Sequence, residues 1–118
     1  RTDEQGNVLT RVTGSNVEEV LDRDITITAG SRYDSREVEF IGNKTGIAIR
    51  FNTRTKFTIS VRPMSTFSNV GGHIEIFEGD DYFANELIEN KTRRYDLRVE
   101  NNGLDDAFAR GIALTHFF

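Results

Sequence analysis

The sequence predicts an all-β protein, an antiparallel β-sandwich of jelly-roll type preceded by an extended N-terminal arm. Three observations predict it. Stretch after stretch alternates apolar with polar residues at period two, the pattern of half-buried strands. Turn-forming clusters separate these stretches at a spacing of roughly 10–12 residues, giving eight or so strands. No run carries the 3.6-residue period far enough for a long helix.

Residues 1–22 form the arm. Val8, Leu9, Val12, Val17, Val20 and Leu21 are scattered among polar residues, and Gly6-Asn7 and Gly14-Ser15 divide the segment into short extended pieces. Val17, Val20 and Leu21, behind Ser15 or Asn16 as a cap, also have the spacing of one short helical turn. The apolar residues are too few for a core of their own. The arm therefore docks on its own domain or on a neighbour, and these six residues are the candidate docking or oligomer contacts.

Residues 23–118 form the sandwich. Ile25 and Ile27 alternate with Thr26 and Thr28, and Gly30 to Asp34 reads as a turn. Val38 and Phe40 alternate with Glu37 and Glu39. Ile47, Ile49 and Phe51 then face one way while Ala48 and Arg50 face the other; Phe57, Ile59 and Val61 repeat the pattern against Thr58, Ser60 and Arg62. The short polar link Asn52 to Lys56 predicts a hairpin between these two runs. Pro63, lacking a donor N–H, is expected to stop the ladder. Ile74 and Ile76 face inward on the next strand, and Gly79-Asp80-Asp81 turns the chain. Tyr82 to Ile88 suits either a strand or a short helical turn. Tyr95, Leu97 and Val99 alternate with charged residues, Asn102-Gly103 makes a tight turn, and Ala107 to Phe118, with Ile112 and Leu114 inward, is the last strand. The hexapeptides IGNKTG (41–46) and IENKTR (88–93) echo each other ahead of two of these strands. Their Asn43 and Asn90 match the glycosylation sequon and are read as turn residues.

Composition excludes several classes of function. The 118 residues make one domain, and no apolar run is long enough to span a membrane. There is no cysteine, hence no disulfide framework, thiolate nucleophile or Cys-based zinc site. Residues 1–62 hold 10 Lys/Arg against 9 Asp/Glu, and residues 63–118 hold 5 against 10. Neither half is basic enough for nucleic acid to be the partner.

Chemistry-bearing patterns are sparse. His73 and Glu75 share a face if their strand is regular, which could begin a metal or acid–base site, but no spacing supplies further groups. A solvent-facing strand surface is the better reading of them. His116, beside Phe117 and Phe118, reads as a hydrogen-bonded structural residue. The acidic stretches 78–81 and 100–106 have the oxygen chemistry of calcium ligands without the strict loop pattern. There is no Gly-x-Ser-x-Gly elbow, phosphate-binding glycine loop or His-Glu-x-x-His, so the expectation is a non-enzymatic protein without cofactor or metal. Sugar binding requires exposed aromatic surface; Tyr33, Phe67, Tyr82 and Phe83, and also Phe77, are the candidates by parity or loop position.

Residues 3–20, DEQGNVLTRVTGSNVEEV, resemble a recurring N-terminal stretch, D-x-x-G-N-V-L-T-x-x-T-G-S, of virion proteins of tailed bacteriophages. The resemblance implies a structural component of a virion, either capsid decoration or a tail or fibre module. Its partners would be capsid or tail proteins and copies of itself, a trimer above other assemblies. The alternative is a carbohydrate- or receptor-binding sandwich of a tail, fibre or secreted protein, outside the cell or on its surface.

Overall fold

The computed structural model of the protein describes residues 12–13, 16–64 and 72–118. Its strands are β1 (Val12–Thr13), β2 (Asn16–Ile27), β3 (Arg32–Asp34), β4 (Val38–Glu39), β5 (Lys44–Met64), β6 (Ile74–Glu89), β7 (Arg94–Asn101) and β8 (Ala107–Phe117). All pairings are antiparallel. The fold is the expected all-β, jelly-roll-like sandwich, made by curling one continuous sheet so that its two halves face each other.

The curl lies in β5 and β6. The first part of β5, from Lys44 to Phe51, pairs with β8 on one side and with the end of β6 on the other. Its last part, Phe57 to Met64, pairs with β7 where β8 had been, and as far as Val61 with the start of β6. Two layers result: a β8 layer in the order β1-β2-β8-β5-β6, and a β7 layer in which β3 and β4 flank β7 beside β5 and β6.

This corrects the hairpin expected over residues 47–61. The two alternating runs belong to one strand, and the polar link between them is its corner. Arg50 pairs with Phe83 and Thr55 with Asp81, so β5 places four residues against Tyr82 alone as it rounds the bend. Thr55 Oγ1 donates to Thr53 O (3.0 Å) within the corner, and Asn52, Thr53 and Arg54 are exposed. The true hairpin partner of β5 is β6, which runs unbroken through Gly79-Asp80-Asp81 and Tyr82–Ile88; neither the expected turn nor a helical turn forms there. Pro63 ends only one ladder: β6 pairs up to Val61, while β7 continues to Met64.

The layers meet over a core in which Ile47, Phe57, Ile59, Leu97, Val99, Ile112 and Leu114 are all completely buried. Each such side chain stabilises by roughly 1.5–3 kcal/mol before conformational entropy is counted. Phe40 ties the halves together, stacked on Tyr95 at 4.4 Å on the β7 side and 6.1 Å from His116 on the β8 side. Phe57 holds the bend between Phe51 (4.7 Å) and Phe77 (5.1 Å). Phe77 therefore packs on the core rather than lying open to a sugar. Ile74, expected inside, is 55% exposed. A register shift between Ile59 and Ser60 sets Phe77 and Glu75 opposite successive residues, leaving Ile76 as the extra one, which is why Phe77 rather than Glu75 shares the inner face; Ile74 stands opposite the buried Val61 and is exposed as the first residue of β6.

The arm boundary expected after residue 22 falls inside β2. Pairing with β8 begins at Asn16↔Phe117 and runs to Ile27↔Ala107. Val17, Val20 and Leu21 are strand residues, not a helical turn. Leu21, at 5% exposure, belongs to the core of its own domain. Val8 and Leu9 lie outside the described residues, and Val12 pairs with Val17 in β1.

Candidate functional site

Side chains alternate along a strand, so the outward residues of neighbouring strands form rows across the sheet. On the β8 layer the register gives these rows directly. Arg23, Gly111, Arg50 and Phe83 lie side by side across β2, β8, β5 and β6. Val20, Ala113, Ala48 and Asn85 form the next row, and Glu18, Thr115, Gly46 and Leu87 the one after. The two inner strands thus present Gly111, Ala113, Ala48 and Gly46 where the flanking strands present larger side chains. Short residues between tall ones make a trough.

The trough has a volume of about 400 Å³ and is lined by Ala48, Ile49, Arg50, Phe83, Asn85, Arg110, Gly111 and Ala113. It lies over β8, β5 and β6, and the outer strands of the rows, β2 and β6, are three strand spacings apart, about 14 Å. One end closes at Gly46, where a Cβ would lie 3.7 Å from both Asn85 Oδ1 and the Phe117 ring. At the other end a bulge in β8 between Ala109 and Gly111 brings Arg110 to the outside beside Gly111. Asp24, with φ 51°, marks the matching irregularity in β2.

Three arginines, Arg23, Arg50 and Arg110, therefore gather at the open end. All are exposed, and among the described residues no carboxylate lies within ion-pair distance of any of them. Among the described residues the one polar contact of the Arg110 side chain is long, 3.5 Å from Nη1 to Asn52 Oδ1. Phe83 on β6 is 54% exposed and Val20 on β2, at the far end of its row, is 49% exposed. Asn85 adds an amide, so aromatic surface, a donor–acceptor amide and guanidinium groups converge on one floor.

The residues expected at a sugar site are not brought together. Phe83 is in the trough, and Tyr82, also exposed, lies next to it at the corner of β6. Tyr33 pairs with Val99 on the inner side of the β7 layer, and its hydroxyl donates to Asp22 Oδ2 at 2.9 Å. Burial, then this hydrogen bond and the Asp22 charge, push its phenol up to about 12. Tyr33 is thus a structural donor at the edge of the core. Phe67 lies outside the described residues. Arg23, Arg50, Arg110 and Asn85 were missed. The one available signal was Ala48 and Arg50 facing away from the core; which residues adjoin them depends on register.

Other clusters carry little chemistry. Thr45 Oγ1 is 3.2 Å from His116 Nδ1, and His116 Nε2 is 3.0 Å from Glu19 Oε1. The order hydroxyl–imidazole–carboxylate matches a catalytic triad, but Thr45 is 0% exposed and no substrate atom reaches it. His116 is the hydrogen-bonded structural residue expected. His73 turns to Asp96 (Nε2–Oδ1 3.1 Å) rather than to Glu75, and Asp96 also takes Arg62. The acidic stretches turn their oxygens to the chain itself. Asp80 pairs with Arg54 at 3.3 Å, and Asp106 Oδ1 accepts Ala29 N at 3.0 Å. Asn101 is buried, its amide donating to Ile27 O and Asp105 O and accepting from Gly103 N. No group of three metal-ligating side chains occurs among the described residues. The two echoing hexapeptides lie side by side, with Asn90 Nδ2 donating to Ile41 O and Gly42 O at 3.2 Å.

No family model matches the chain, and no curated protein matches it in sequence. Solved structures do match in shape. The CBM22-1–GH10 modules of a Clostridium thermocellum endo-1,4-β-D-xylanase complexed with xylohexaose match with TM-score 0.57 and 10% identity, over 88% of this chain and 26% of that one. A β-porphyranase of glycoside hydrolase family 86 from Bacteroides plebeius gives 0.56 and 9%, over 86% and 20%. A family GH115 4-O-methyl-α-glucuronidase with specificity for decorated arabinogalactans gives 0.55 and 8%, over 100% and 20%. This chain spans about a quarter or less of each of those chains. At these identities the likeness is one of fold: the same β-sandwich occurs as part of larger proteins.

Proposed function

We propose that the domain is a non-catalytic glycan-binding module that seats a polysaccharide in the trough of the β8 layer. The observation that carries this reading is the juxtaposition of a floor of Gly111, Ala113 and Ala48 with the exposed ring of Phe83 and the amide of Asn85. A sugar ring has one apolar face and a polar rim. The floor and ring cover the first, and the amide and guanidinium groups bond the second. The fold supports the reading too, since it recurs inside proteins whose names place them on polysaccharides.

Affinity electrophoresis against a panel of neutral and acidic polysaccharides tests it. At least one should retard the chain, and Ala48→Trp, which fills the floor with an outward ring, should abolish the retardation while leaving the thermal transition in place. Retardation by none of the panel, or an Ala48→Trp variant that binds as well as the parent, overturns the proposal. The same trough would serve a receptor-binding tail or fibre module, where this reading meets the resemblance of residues 3–20 to virion proteins. Capsid decoration has only that resemblance behind it.

A further inference from the structure

We infer that the ligand of the trough is an anionic glycan, its carboxylate or sulfate group held at the open end by Arg50 and Arg110 with Arg23 alongside. The inference rests on the glycan-binding reading and adds the chemical class. The argument is one of charge left over. The chain is acidic, with a formal net charge of −4, so a surface arginine has carboxylates to find. On the β7 layer the arginines do find them: Arg62 pairs with Asp96, and Arg98 and Arg32 both pair with Asp34. On the β8 layer three arginines share the end of one groove, and among the described residues none has a carboxylate within 4 Å.

The nearest acidic side chains are otherwise directed. Asp22 accepts Arg23 N (2.9 Å) and the Tyr33 hydroxyl through its two oxygens. Asp24 stands in β2 opposite the bulged Arg110 without pairing to it. Glu18 is two rows away along β2, towards the closed end, so positive charge is concentrated at the open end. Guanidinium groups are planar forks that match carboxylate and sulfate oxygens, and such charge-assisted bonds are the stronger kind. Phe83 pairs across the sheet with Arg50, so a ring lying on Phe83 presents its substituents to the arginines.

The test compares matched glycans by isothermal titration with the full chain. A uronic-acid polysaccharide is set against its carboxyl-reduced form, and a sulfated galactan against its desulfated form. The expected result is binding at least about tenfold tighter for one anionic form than for its neutral partner, weakened by added salt. That preference should disappear in Arg50→Gln/Arg110→Gln, whereas Arg32→Gln, on the other layer, should retain it. Preference for the uronate or for the sulfate both support the inference and name the source of the charge. Equal binding of charged and neutral forms overturns the arginine assignment while the glycan reading survives. Binding of neither form in either pair overturns both. An anionic preference that Arg50→Gln/Arg110→Gln retains also overturns the assignment, because the charge is then read elsewhere.

Discussion

The two outer faces of the sandwich share β5 and β6 and solve opposite problems. On the β7 layer the inner positions of β5 are Thr58 and Ser60, only 7% and 5% exposed, because long charged side chains fold over them. Those side chains are paired with one another: Arg62 with Asp96, His73 beside Asp96 (3.1 Å), Arg98 (2.8 Å) and Arg32 (3.1 Å) with Asp34, and Asn102 with Thr58 (2.7 Å). On the β8 layer β5 presents Arg50, Ala48 and Gly46, flanked by Gly111 and Ala113, and nothing among the described residues covers the floor at Ala48 or pairs with the arginines. A face that has bonded its own charges has little left for a ligand. A face with a shallow floor and unpaired guanidinium groups still has hydrogen bonds to make.

Three experiments break or sharpen this comparison. The largest effect removes both faces together. Phe57 sits at the bend shared by the layers, and Phe57→Ala should cost about 3–5 kcal/mol in a single denaturant transition. Two separated transitions would mean that the layers are independent units after all. A middling effect separates the faces. Asp96→Ala removes the partner of the half-buried Arg62 and of His73, and should cost about 2 kcal/mol by urea unfolding. Arg50→Ala, on the open face, should stay within about 0.5 kcal/mol. Equal losses in the two variants would refute the idea that one face is bonded and the other free.

The smallest effect is a matter of pH. Burial opposes ionisation of Asp34, but hydrogen bonds from Arg98 and Arg32 and their charges outweigh it and hold the carboxyl below its usual range. A carboxylate with a lowered folded value stabilises above the unfolded pKa, near 4, and loses that contribution as pH falls through the lowered one. The group is exposed, so the loss should be only ~0.5 kcal/mol below pH 4, and Asp34→Asn should remove that part of the pH dependence. A variant with the parent's acid profile would show that the pairs on this face contribute nothing measurable.

Much of the architecture was legible because alternation is a local property. The inward residues of β2, β5, β7 and β8 follow from period two alone, and most are buried. What alternation cannot distinguish is a hairpin from one strand that changes layers. Both show two alternating runs joined by polar residues, and only the distant partners β7 and β8 decide between them. Parity also fails across a bulge, which is why Phe77 was placed outside, and it does not see where a strand begins, which is why Ile74 was placed among the buried residues. Leu21 looked like part of an arm because its core neighbours come from strands far along the chain. The trough was half visible: Ala48 and Arg50 could be assigned outward, but Gly111, Ala113 and Phe83 adjoin them only through register. Tyr33, chosen as an aromatic for sugar stacking, shows the converse error, since composition offered a ring but not its Asp22 partner.

The place of β8 bears on how the binding face comes into being. β8 is the last of the eight described strands in chain order, yet it lies in the middle of its layer, between β2 and β5. A chain emerging from the ribosome has already made both walls and half the floor before Gly111 and Ala113 exist. Until then β2 has no long strand to pair with, and one edge of β5 stays open from Lys44 to Phe51. Open edges with alternating apolar residues recruit strands from other chains. The trough is therefore the last part of this domain's surface to be assembled, and the domain is most exposed to aggregation until β8 has paired with β2 and β5.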